Sequence, residues 1–205
     1  NGTKHNRTVR NGFISRNCCF LDTPGANFSI DTSHKDISHW SINHASYDTL
    51  VFIFAAGTTG INDDFEYLHF IKDHHKDNCR LVFVFNKLDE YKDSEDSIDD
   101  SINKINEDLK NIGFDSYELY PVSASAGTMA KDVIQGVSFP PTSPEYFQYL
   151  GIKAHFNSPN FDCSKFYNVP KDHIDLVKQS LSKNPEEFAL LLKSGMLGLE
   201  YILTH

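Results

Sequence analysis

Nowhere in the 205 residues is a glycine followed directly by a lysine. That absence excludes a GxxxxGK[ST] loop from this stretch, and with it the cradle of backbone N–H groups, lysine and hydroxyl that holds a nucleotide's phosphates. Basic residues are also few. Nineteen Lys and Arg stand against 28 Asp and Glu, for a net charge of −9 and a pI near 5.5. This balance argues against a nucleic-acid footprint or a polybasic membrane patch. Cysteines number four. Cys18 and Cys19 are adjacent inside an apolar run, and the irregular spacing fits neither a disulfide framework nor a zinc site, so a reducing compartment is the simpler reading. No apolar run approaches the roughly 20 residues that a membrane-spanning helix requires. The longest, Leu50 to Ala56, reads as a buried strand. Position 1 is Asn and no signal-like segment follows, which reads as a fragment of a longer protein. The length is that of one domain, sufficient for a sizeable core.

What the chain does contain is centred on Leu81-Val82-Phe83-Val84-Phe85-Asn86-Lys87-Leu88-Asp89. Five apolar, mostly β-prone residues run into a polar tetrapeptide. Such a run predicts a strand buried on both faces, as in a parallel sheet flanked by helices. Its polar end then falls at the carboxyl edge of the sheet, where open α/β folds bind ligands. The tetrapeptide has the chemistry to hold a guanine. A carboxylate at Asp89 accepts from the ring N1–H and the exocyclic amine together, a pair adenine does not offer. The Lys87 stem lies along the base, and the Asn86 amide ties the loop to its neighbours. Each charge-assisted hydrogen bond of this kind contributes roughly 1.5–3 kcal/mol. The alternative is a strand ending in a solvated turn.

Two more strand-to-loop junctions flank this one. Upstream, Cys18-Cys19-Phe20-Leu21 runs into Asp22-Thr23-Pro24-Gly25; downstream, Tyr117-Glu118-Leu119-Tyr120-Pro121-Val122 runs into Ser123-Ala124-Ser125. In order and spacing the three resemble the DxxG, NKxD and SA(K/x) motifs of translation-factor-related GTPases, in the Era-like and dynamin-like branch. The stretches YPVSASAGTMAKDVIQG and LLKSGMLGLEYIL look like bacterial dynamin-family GTPase domains. The resemblance covers nearly the whole chain but begins after the phosphate loop.

It implies an α/β fold of P-loop GTPase type: three layers, a mostly parallel sheet flanked by helices, with the first strand and phosphate loop missing. It divides the chain into a core (1–128) carrying the three motifs, an insertion (129–177) and a terminal helical segment (178–205). It implies GTP or GDP as ligand and Mg²⁺ as cofactor. Asp22 would assist the metal through a water, and Gly25 would bring its N–H to the terminal phosphate. Asn86, Lys87 and Asp89 would read the base, with Ser123, Ala124 and Ser125 forming a second loop whose N–H groups face the guanine carbonyl. Self-association through the GTPase domain, and membrane contact in an otherwise cytoplasmic protein, follow from the resemblance alone.

The catalytic group is unknown. Ala26 stands where Ras-like relatives place a water-orienting Gln, so hydrolysis is expected to be slow or completed by a second copy. Thr3 and Thr8 are candidates for the metal-binding switch threonine, with a frayed terminus as the alternative. The three strand-end loops, at Asp22, Asp89 and Ser123, are expected to converge at one sheet edge; their separation to different sides of the molecule, or Asp89 inside a helix, would end the assignment.

Elsewhere the pattern predicts helices and loops. Asn27 to Tyr47 reads as a polar segment followed by a helix, with solvated histidines at 34, 39 and 44. Asn62 is a candidate N-cap for a helix bearing Phe65, Leu68 and Ile71 on one face, ahead of a surface loop at Asp73 to Asp77. Ile98, Ile102, Ile105, Leu109 and Ile112 recur at helical spacing. Asp93, Glu95, Asp96, Asp99 and Asp100 crowd that helix's amino end and Gly113 stops it. Met129 to Val177, with five prolines among aromatics, reads as an irregular insertion packed onto the body. Asn184-Pro185 opens one final helix striped by Phe188, Leu191, Leu192, Leu199, Ile202 and Leu203. The competing functional reading is a pseudo-GTPase, a nucleotide-independent interaction module. A flavodoxin-like or dinucleotide-binding domain needs a Gly-rich first turn that is absent.

Overall fold

A computed structural model describes residues 19–23, 32–55, 65–76, 78–92 and 97–205. Thr3, Thr8, Gly25, Ala26, Asn62, Asp93, Glu95 and Asp96 lie outside these. The architecture is α/β: helices flank a small, open, parallel sheet of three strands in the order β1-β2-β3. The strands are β1 (Thr49–Ala55), β2 (Arg80–Asn86) and β3 (Glu118–Pro121). β2 is central, and Leu81 to Phe85 are each at most 6% exposed. Alternation is lost because a strand covered on both faces has no solvent side. The eight α-helices described are α1 (Thr32–His44), α2 (Phe65–His74), α3 (Ile98–Ile112), α4 (Ala124–Ile134), α5 (Pro144–Asn157), α6 (Lys171–Ser180), α7 (Pro185–Lys193) and α8 (Met196–Thr204). None is long and apolar enough to cross a membrane.

The chain forms two compact units. The first comprises residues 1–52, 58–83 and 103–118. Its core is aromatic: Phe83, fully buried, meets Phe52, Phe114 and Tyr117 edge-on. His39 of α1 stacks on Phe70 of α2 at 3.6 Å, so this histidine packs instead of being solvated. On α2, Leu68 and Ile71 are buried, but Phe65 is 46% exposed. The helix also runs on to His74, into the expected loop. Lys76, just beyond it, donates to the Ala45 carbonyl at 2.6 Å. The end of α3 belongs here too. Gly113, at φ +99°, takes the left-handed turn, while Phe114 N–H reaches back to Leu109 O and Gly113 N–H to Lys110 O. Those two bonds form a Schellman cap, and burial of Phe114 completes it.

The second unit comprises residues 53–57, 84–102 and 119–205. The region expected to be an irregular insertion is mostly helical. Met129 lies within α4, and α5, two 3₁₀ turns (Pro159–Phe161 and Cys163–Phe166) and α6 occupy most of the rest. Three of the five prolines, Pro144, Pro159 and Pro170, stand at the starts of these elements instead of breaking them. Pro144 opens α5 behind Ser143, whose hydroxyl accepts from Tyr146 N–H at 3.2 Å, and Pro159 opens its turn behind Ser158. A proline in the first turn loses no helical hydrogen bond, because that N–H has no partner in any case. Tyr149, Ile152, Phe156 and Phe161 supply the core. The single terminal helix is instead two, broken at Gly195 with φ +77°. A Cβ there would lie 2.5 Å from the Pro121 carbonyl oxygen, so the chain turns where only glycine fits. Asn184 makes no side-chain cap.

Among the described residues 19–23, the strand expected to end at Asp22 is not formed. Residues 19–23 carry no regular structure and are exposed, with Phe20 at 48% and Leu21 at 47%. A strand exists through the ladder it shares with a neighbour, and these residues do not join β1, β2 or β3.

Candidate functional site

β2 ends abruptly. After Asn86, Lys87 adopts a left-handed backbone (φ 72°, ψ 32°), and Leu88–Glu90 close into one 3₁₀ turn. Glu90 N–H donates to Lys87 O at 3.0 Å, and Tyr91 N–H to Leu88 O at 3.3 Å. Asp89 is therefore the middle residue of a one-turn 3₁₀ helix, the placement expected to count against the assignment. Burial of the Leu88 side chain pins the turn and leaves Asp89 half-buried at its corner.

The end of β3 lies alongside, within the same unit. Val122 N–H donates to Phe85 O at 2.8 Å and Leu88 N–H to Val122 O at 3.4 Å, continuing the parallel ladder past both strands. This register sets Ser123 against Asp89. The Ser123 hydroxyl donates to Asp89 Oδ1 at 2.5 Å and accepts from Ala126 N–H at 3.1 Å, which makes it the N-cap of α4 as well. Asn86 Oδ1 accepts from Ala124 N–H at 3.0 Å and bridges the two loops. The Ser123 hydroxyl thus fixes the carboxylate, while the Asn86 amide holds the two loops together. An ionised carboxylate offers about four lone-pair sites; Ser123 occupies one, and the others can serve a ligand's donors.

The second loop is committed more deeply than expected. Of the N–H groups expected to face a ligand, that of Ser123 donates to Ser194 O at 2.9 Å and that of Ala124 to Asn86. Ser125 stands on the first turn of α4, its hydroxyl 3.4 Å from Gln148 Nε2 of α5. Lys87 is exposed, with its ammonium 3.4 Å from Glu90 Oε1.

Three supports were not read from the sequence. The Gly195 turn lets Ser194 present its carbonyl to Ser123. The Tyr167 hydroxyl donates to Pro121 O at 2.8 Å, beneath the end of β3, and burial holds its pKa well above the usual phenol range. His155 of α5 places Nε2 2.9 Å from Leu88 O. The Ser143-Pro144 pair that starts α5 is the sequence signal that reveals this helix, in the same way as Asn184-Pro185.

Asp22 is exposed in irregular chain of the first unit, and Gly25 lies outside the described residues. The structure brings together Asn86, Asp89, Ser123 and Ala124, with Lys87 and Ser125 adjacent in sequence. Among the described residues no group of three or more His, Cys, Asp or Glu is arranged to hold a metal ion. Comparison with protein-family models, with curated proteins and with solved structures finds no match to this chain.

Proposed function

We propose that the turn at the end of β2 reads guanine and that the chain is part of a GTPase-type domain of the dynamin-like branch. One observation carries the reading: Asp89 is held by Ser123 while Asn86 locks the two loops side by side. This arrangement keeps a carboxylate acceptor in place before any ligand arrives, so little ordering cost falls on binding. The N1–H and amino group of guanine suit such an acceptor. Adenine would leave unmet the acceptor sites of the half-buried carboxylate that Ser123 does not fill, and unmet polar sites discriminate. Asp22 as the magnesium residue and Gly25 as the phosphate sensor belong to the same proposal by family resemblance, as do slow or partner-completed hydrolysis and self-association.

The test compares GDP, ADP and XDP with equal phosphates, using ligand-observed NMR on the chain and on Asp89→Asn. The unsubstituted chain should prefer GDP to ADP by at least about tenfold, the equivalent of one charge-assisted hydrogen bond. Asp89→Asn should lose that preference and gain XDP, because an amide can donate to the oxo group that replaces the amine. Equal responses to GDP and ADP would overturn the assignment. A second reading, a pseudo-GTPase interaction module, is favoured by the apolar residues that α5 exposes, Phe147 at 62% and Leu150 at 43%. It predicts no purine preference at all.

A further inference from the structure

Helix α5 meets the turn through one side chain. His155 Nε2 lies 2.9 Å from the carbonyl oxygen of Leu88, and a carbonyl only accepts, so Nε2 carries the hydrogen. That oxygen is the one that closes the 3₁₀ turn by accepting from Tyr91 N–H. His155 therefore adds a second donor to the atom on which the turn hinges, one residue before Asp89. The ring has little freedom to leave, since its face stacks on Phe161 with centroids 3.8 Å apart and planes 25° apart. Phe161 is 1% exposed, and the next residue on the helix, Phe156, is equally buried. Anchored on both sides, the imidazole is a fixed strut between α5 and the corner that carries Asp89.

We infer that His155 is a positioning residue for purine selection: by holding the Leu88 carbonyl it fixes the turn in which Asp89 is presented to the base. The inference rests on the guanine reading proposed above, but it also has a consequence that needs no ligand. The turn's own amides, Glu90 N–H and Tyr91 N–H, should owe part of their protection to this histidine. Residues 129–177 would then contribute to base selectivity through α5, although none of them belongs to the three motifs.

The experiment pairs His155→Leu, which removes the donor, with His155→Gln, whose side-chain N–H₂ can reach the same carbonyl. Two quantities are read on the 205-residue chain: amide hydrogen exchange along the backbone, and the ratio of GDP to ADP binding. In His155→Leu the Glu90 and Tyr91 amides should exchange about three- to tenfold faster, in keeping with one neutral hydrogen bond. The GDP-to-ADP ratio should fall by a similar factor, and His155→Gln should restore both. A role confined to packing would speed exchange evenly across α5 and weaken GDP and ADP alike, leaving the ratio unchanged; that result overturns the inference. If the unsubstituted chain shows no GDP preference, the guanine reading fails and exchange alone decides. Selective loss of protection at Glu90 and Tyr91, with rescue by Gln, then supports positioning, and its absence removes it.

Discussion

Leu81 to Asp89 and Cys18 to Gly25 read alike in the sequence, each an apolar run closing on a polar tetrapeptide, yet Leu81 to Phe85 form the expected strand and the described residues 19–23 do not. β2 has a strand on either side and Leu81 to Phe85 buried; residues 19–23 make no ladder and leave Phe20 and Leu21 half in water. Apolar character makes a segment eligible for a sheet. Neighbours that satisfy its backbone make it a strand. The polar tetrapeptides inherit the difference. Asn86 to Asp89 is held by cross-strand bonds at a defined corner, whereas Asp22 is exposed.

The contrast can be broken most forcefully at matched phenylalanines. Phe83→Ala should cost about 3–5 kcal/mol, because it empties a fully buried site among Phe52, Phe114 and Tyr117. Phe20→Ala, at a half-exposed site, should stay within about 0.5 kcal/mol. Urea denaturation of both variants measures the gap, and equal losses would mean that Phe20 is buried in solution. Next in size is Gly195→Ala. The left-handed backbone alone costs about 1–3 kcal/mol, and the new Cβ would press on Pro121 O. Thermal unfolding should show the loss. The Ser123 amide should also exchange faster, because its acceptor Ser194 O sits beside the turn. The smallest effect sharpens the comparison between the polar ends. Asn86→Ala should cost about 1 kcal/mol by orphaning the Ala124 N–H, while Asp22→Asn should leave the same denaturation midpoint unmoved.

How far the sequence could be read follows from where each signal resides. The centre of β2, Leu81 to Phe85, and the whole of α3 are legible, because a continuous apolar run and a four-three repeat are properties of the segment itself. Of the three loops expected to converge, two meet, Asn86 and Asp89 with Ser123 and Ala124, since strands in parallel register bring their ends together; Asp22 ends no strand. The α5 to α6 region reads as irregular only if proline is treated as a breaker; a capping serine in front of it marks a helix start instead. The break between α7 and α8 was hidden by the apolar stripe, which runs through Gly195 without interruption. What Gly195 responds to is the Pro121 carbonyl, 74 residues away in sequence. His155 gave no local signal at all: its partner is a backbone oxygen, and backbone oxygens are the same in every sequence.

Lys87 gives the corner a restriction of its own. It is the one non-glycine residue at positive φ among those described. An unbranched side chain tolerates that conformation at modest cost, glycine and asparagine tolerate it better, and valine, isoleucine and threonine are shut out by their second γ atom. Substitution at position 87 is thus filtered by backbone shape before any ligand is considered. A lineage or library in which β-branched residues flourished there would have had to unmake this bend first.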